Sequence, residues 1–149
     1  MENELQYVLV DINNLRFAVD VGYVNMIIKN NNFTRVPGSL YYYKGLINYR
    51  GDIVAVVDLK KKLFLIDDNS NKQKKRSGRI ILVKRDDKEL IGLRTDSATE
   101  VKAVKTTDFL QDFYIPENII DGKAFISAAF KVENEIVYVI DINNMLMNK

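Results

Sequence analysis

Histidine and cysteine, the side chains behind most nucleophilic and metal-assisted catalysis, occur nowhere in the sequence. Ser-His and Cys-His pairs, His-ligated metals, disulfides and thiolate zinc sites are therefore excluded. Acid–base chemistry would have to use Asp, Glu, Lys, Tyr or Ser. The paired carboxylates Asp67-Asp68 and Asp86-Asp87 both stand in turn-like sequence, where solvated loop carboxylates are the ordinary outcome. No Gly-rich phosphate loop leads into a helix, and no G-x-S-x-G elbow occurs. The residues point away from an enzyme and require neither metal nor cofactor.

Binding chemistry is better represented. Arg50 precedes Gly51 between two β-rich segments, so its guanidinium should project into water from a hairpin tip. Arg50 is then either an ordinary surface arginine or an interface anchor, since arginine offers five donors in a planar fork and is enriched among interface hot spots. Lys72, Lys74, Lys75 and Arg76, with Lys60 to Lys62 nearby, form the strongest charge feature. That run is either a contact for phosphates or an acidic surface, or a solvated linker. Tyr41-Tyr42-Tyr43 is a base-stacking platform, amphipathic packing or an interface anchor. The formal net charge of +2 is too small to advertise a nucleic-acid partner.

Several elements must position these residues. Tyr7–Ile12 and Leu15–Val19 alternate around Asn13-Asn14 as a hairpin, followed by a helical turn over Asp20–Tyr23 and a strand at Val24–Ile28. Pro37-Gly38 breaks the pattern. Lys44–Tyr49 and Asp52–Val57 flank Arg50-Gly51 as a second hairpin, and Asp58 is placed to N-cap a short helix. Residues 67–78 are polar and read as an exposed linker. Strands resume at Arg79–Val83 and Glu89–Leu93, and 106–123 is irregular. A strand opening at Phe125, another over Glu135–Ile140 and a terminal helix close the chain.

The order repeats. Ile53-Val54-Ala55-Val56-Val57-Asp58-Leu59 matches Ile136-Val137-Tyr138-Val139-Ile140-Asp141-Ile142, and Phe17-Ala18-Val19 resembles Ile91-Gly92-Leu93. Each half runs hairpin, turn, strand, irregular stretch, hairpin, capped helix. About five strands per half suit a small closed barrel. Either barrel alone would have a marginal core, so two should pack together in one domain over 1–149. The expected lobes span about 15–66 and 80–142, with strand exchange at the termini possible. No basic, apolar leader and no membrane-length apolar run is visible, so a cytoplasmic location without membrane insertion is expected.

The stretch from Tyr43 to Leu59, with Lys44-Gly45, Asn48, Arg50-Gly51, Ile53-Val54 and Val57-Asp58-Leu59, resembles the central motif of the CheW family of chemotaxis coupling proteins. Thr34-Arg35-Val36-Pro37 upstream, Ile91-Gly92-Leu93 with Asp96–Val101, and Val137–Leu146 resemble further family segments in the right order. The family's usual glutamate is replaced by Met26, and its proline before the aliphatic run by Ala55. The resemblance implies two linked five-stranded, SH3-like barrels in a mainly β fold. It implies an adaptor, monomeric in isolation, that binds a CheA-type histidine kinase regulatory domain and the cytoplasmic tip of a chemoreceptor. By motif position, Arg50, Gly45 and Val24 fall to kinase coupling, and Gly92, Ala98 and Val101 to receptor contact. A small-barrel single-stranded nucleic-acid binder using Lys72 to Arg79 and the tyrosines is the alternative.

Overall fold

Tyr7-Val8-Leu9-Val10 and Ile80-Ile81-Leu82-Val83 are buried residue after residue, which a strand achieves only when both of its faces are covered. The computed structural model, which describes residues 4–29, 32–64, 78–86 and 88–147, shows what covers them. β1 (Glu4–Ile12) and β2 (Leu15–Asp20) form the first hairpin, and a 3-10 turn leads to β3 (Val24–Ile28). β4 (Tyr43–Tyr49) and β5 (Asp52–Asp58) form the second hairpin, ending in helix α1 (Leu59–Phe64). The plan then repeats: β6 (Arg79–Lys84) and β7 (Leu90–Thr95), β8 (Ser97–Lys105), a short helix α2 (Gly122–Phe125), β9 (Ile126–Val132), β10 (Glu135–Ile140) and helix α3 (Ile142–Met147).

These strands make two five-stranded sheets, ordered β8-β1-β2-β10-β9 and β3-β6-β7-β5-β4. Each curls back on itself through one extra bridge. Phe109 pairs with Phe130 of β9, and Thr34 with Leu46 of β4. The fold is mainly β, as the sequence implies, and the two sheets play equivalent parts.

Strand exchange, expected as possible at the termini of lobes at about 15–66 and 80–142, takes a whole hairpin from each half of the chain. The hairpin β1–β2 belongs to the sheet of β8, β9 and β10, while β6–β7 belongs to the sheet of β3, β4 and β5. The two repeats thus exchange their first hairpins. Parallel pairing is the reason: β2 lies parallel to β10, and β7 parallel to β5. A parallel neighbour must arrive by a long crossover, so it cannot be the next strand in the chain. The repeated segments match in space as well, since Ala18 faces Val139 and Gly92 faces Val56 in these pairings.

Exchange also explains the two-sided burial. Tyr7, Leu9 and Ala18 join one barrel interior with Phe130, Val137 and Val139, while Ile80 and Leu82 join the other with Ile47, Val54 and Val56. Alternate residues on the same strands, Val8, Val10, Phe17, Ile81, Val83 and Leu93 among them, meet in a third and larger cluster between the lobes. At about 25 cal/mol per Å² of apolar surface buried, this seam dominates the hydrophobic stabilisation.

Asp58 caps α1 as its position implies, its carboxylate accepting from the backbone N–H of Lys60 and Lys61 at 3.1 and 3.5 Å. Asp141 repeats the cap on α3, accepting from the Asn144 N–H at 3.1 Å. Two local expectations change. Phe125 ends α2 rather than opening a strand, because Asp121, at φ 57°, redirects the chain into a helical turn first. Of the expected linker 67–78, residues 67–77 lie outside the described residues; Gly78 is buried against the Arg94 guanidinium. The Lys72 to Arg76 run also lies outside them. Among the described residues, no helix is long and apolar enough to cross a membrane.

Candidate functional site

The β4–β5 hairpin carries the exposed Arg50 at its tip. Tyr49 pairs with Asp52, leaving Arg50-Gly51 as a two-residue loop. Both loop residues have positive φ, 53° and 89°, as the tight hairpin turns that match strand twist require. Gly51 adopts this freely. Arg50 does not: a left-handed conformation costs an L-residue roughly 1–2 kcal/mol, and Asn or Gly is the usual occupant. Asn48 steadies the turn, its side-chain oxygen accepting from the Gly51 N–H at 3.0 Å. The Arg50 guanidinium stands over the Tyr49 ring, 5.2 Å from its centroid, and Tyr49 packs on a barrel interior. The cation is thus held on a strained turn with an aromatic support beneath it.

Beside the hairpin is a concavity of about 490 Å³ lined by Asn32, Thr34, Leu46, Ile47, Asn48 and Ile53. Ile53 is 65% exposed, the most exposed large aliphatic residue among the described residues. The motif alone does not single it out. Strand alternation does, because Val54 and Val56 point inward and Ile53 must then face out.

The other motif residues divide by burial. Gly45 is buried, with φ 148°, and a Cβ there would stand 2.8 Å from the Thr34 carbonyl oxygen. That carbonyl accepts from the Leu46 N–H at 2.8 Å in the bridge that closes the barrel. Gly45 therefore permits the close approach that shuts the barrel. Val24 is half-buried at the start of β3, opposite Val83. A register shift follows it, and Met26 and Ile27 beyond are 39% and 37% exposed.

Gly92, Ala98 and Val101 are not brought together on one surface. Gly92 is buried within a barrel, where a Cβ would meet Ile80 Cγ2 at 2.9 Å and Val56 Cγ2 at 3.0 Å. Ala98 is half-buried against the inter-lobe cluster. Val101 is 58% exposed on β8, a strand paired with β1 on one side.

The tyrosine cluster is packing in the main. Tyr42 is buried, with Tyr41 edge-on at 5.4 Å and Tyr43 tilted at 5.0 Å. The Lys62 ammonium lies 4.0 Å from the Tyr42 ring centroid and 5.8 Å from that of Phe125. Burial lowers its pKa from the ordinary 10.5, partly offset by Asp121.

A family model described as a CheW-like domain matches residues 6–149. The chain belongs to the CheW-like family. Chemotaxis protein CheW of Bacillus subtilis is 32% identical to it over 136 residues, covering 91% of this chain and 82% of that protein. Chemotaxis protein CheW of Helicobacter pylori is 26% identical over 145 residues, covering 97% and 83%. Scaffolding protein TtCheW from Thermoanaerobacter tengcongensis has the same fold, with a TM-score of 0.79 at 23% identity over 94% of this chain and 86% of that one. The matched CheW-like domain thus takes in both exchanged hairpins and the seam, with Arg50 in the two-residue loop of the β4–β5 hairpin.

Proposed function

We propose that this chain is a non-enzymatic chemotaxis adaptor that couples chemoreceptors to a CheA-type histidine kinase. The names borne by its relatives, chemotaxis protein CheW, and its membership of the CheW-like family support that class. The observation that carries the docking role is Arg50, held exposed at a positive φ over Tyr49. Strained backbone persists where surrounding structure holds it and where the strained residue has work to do.

In this reading Arg50 contacts the kinase regulatory domain, where its planar fork suits a carboxylate held in two parallel hydrogen bonds. Gly45 positions the hairpin, and Val24 supports the exposed Met26 and Ile27 beside it. Val101 and the neighbouring part of β8 meet the receptor tip, with Ala98 at the seam and Gly92 fixing the barrel from inside. The chain works as one docking body, monomeric by itself and held at cytoplasmic, membrane-associated receptor arrays through several weak contacts acting together.

Arg50→Asn separates this role from folding. Asn accepts the turn geometry, so the variant should unfold at the same or higher denaturant concentration. Calorimetric titration against the kinase regulatory domain should show a loss of about tenfold or more, consistent with ~2 kcal/mol at an arginine hot spot. Receptor control of the kinase in reconstituted arrays should disappear. Wild-type affinity and control in a folded Arg50→Asn protein would remove Arg50 from the interface.

A further inference from the structure

Residues 34–41, between β3 and β4, are all exposed and carry three large apolar side chains, Val36, Leu40 and Tyr41, at 41%, 48% and 42% exposure. With Arg35, Tyr43 and Lys44 this loop encloses a concavity of about 350 Å³. That is the small end of the ~300–1,000 Å³ usual for ligand sites, room for a side chain or two rather than a cofactor. The Tyr41 hydroxyl donates to the Lys61 carbonyl oxygen at 3.4 Å, which pins the loop to helix α1.

Cations outnumber carboxylates around it. Lys44 is half-buried, and its ammonium feels Arg35, Lys61 and Arg94 as neighbouring cations against the single carboxylate of Asp58. Burial and those cations together lower its pKa, with Asp58 opposing. Asp58 is committed to capping α1. Among the described residues, Arg35, Lys44 and Lys61 form no ion pair. Cations gathered around an apolar hollow leave a field that an incoming anion relieves.

We propose that the hollow between the 34–41 loop and Lys44 docks an acidic segment of a partner protein that carries an aliphatic side chain. The carboxylates meet Arg35, Lys44 and Lys61, and the aliphatic group enters between Val36 and Leu40. Nucleic acid fits less well. Tyr41 is already set edge-on to Tyr42, at 5.4 Å and 81°, and aliphatic Val36 and Leu40 give bases no flat surface for stacking. The site stands apart from Arg50, which neither lines the hollow nor appears among the charges acting on Lys44.

The test is fluorescence anisotropy on the full chain, with a labelled peptide of Asp and Glu carrying leucines one helical turn apart. Saturable binding is expected, weakening as salt rises. Arg35→Glu with Lys61→Glu should reduce affinity about tenfold or more. Leu40→Ser should reduce it a few-fold without altering the salt dependence, and a serine-for-leucine peptide should lose a similar factor. Circular dichroism and urea unfolding confirm that each variant is folded. Absent binding, equal binding by the charge-reversed protein, or tighter binding of a single-stranded oligouridine would overturn the proposal. So would concentration-dependent self-association that the charge reversal abolishes, which would assign the surface to a second copy. Arg50→Asn should bind the peptide as wild type does, so failure here and failure of the adaptor role remain separable.

Discussion

The two connections that follow β3 and β8 occupy the same place in the repeat, and their middles have different fates. In 106–125, Leu110, Phe113 and Ile115 pack on the inter-lobe cluster, and Ile119 and Phe125 are each 4% exposed. The Ile120 N–H donates to the Leu63 carbonyl at 2.9 Å, tying the stretch to α1. In 34–41 every residue is exposed. Composition decides this: Phe109, Leu110, Phe113, Ile115, Ile119 and Phe125 bring enough apolar area to outweigh the entropy of ordering a long connection. Thr34-Arg35-Val36-Pro37-Gly38-Ser39-Leu40-Tyr41 brings less apolar surface and a guanidinium. One crossover packs into the core, whereas the 34–41 part of its counterpart lies on the surface.

The largest expected effect breaks the buried crossover. Phe125→Ala should cost about 3–5 kcal/mol by leaving a cavity at the seam, whereas Leu40→Ala should cost within about 0.5 kcal/mol. Urea unfolding measures both. Similar losses at the two sites would show that the crossovers contribute equally and that the contrast is false.

A smaller effect tests the exchanged hairpins. Ala18 and Gly92 hold equivalent positions in the two barrels, yet Gly92 has no room for a methyl between Ile80 and Val56. Gly92→Ala should destabilise by about 1–3 kcal/mol through overpacking. Any loss of receptor coupling in Gly92→Ala should then track the stability loss. Impaired coupling at full stability would make Gly92 a direct contact.

The hairpin tips sharpen the comparison further. Glu133 turns β9 into β10 at φ 58°, as Arg50 turns β4 into β5 at 53°. Replacing either by Asn relieves a left-handed acidic or basic residue and should stabilise the fold by up to about 1 kcal/mol. Kinase affinity should fall with Arg50→Asn and stay unchanged with Glu133→Asn. Equal effects on binding would mean that turn rigidity matters and the guanidinium does not.

Much of this arrangement is legible in residues. The Asn13-Asn14 and Arg50-Gly51 tips, the Asp58 and Asp141 caps and the order of both repeats follow from local chemistry, which short-range hydrogen bonds enforce. The exchange of hairpins does not, because β2 and β7 choose their parallel partners through the seam. The uninterrupted runs at Tyr7–Val10 and Ile80–Val83 are the signal, since they mark strands covered on both faces. Site assignment was less legible for a similar reason. Motif position groups Gly92 with Val101, but alternation along β7 turns Gly92 inward while β8 leaves Val101 exposed.

The smallest effect concerns the point where the two crossovers meet. Lys62 lies between Tyr42, at the end of one, and Phe125, at the end of the other. Unfolded, it keeps its proton to about its ordinary pKa of 10.5; folded, burial makes it release the proton at lower pH. Between those two values the unfolded chain binds more protons, so this lysine makes stability rise with pH. Tyr42 and Tyr138 act oppositely, because burial raises their pKa above 10.0 and the unfolded phenols ionise first. Their contribution is full below pH 10.0 and declines above it. Lys62→Met should therefore flatten the rise on approach to pH 10.0 while leaving the later fall intact, read as urea midpoints across a pH series. Identical profiles for the two proteins would place the lysine's charge in water, and the crossovers would then meet through their aromatic rings alone.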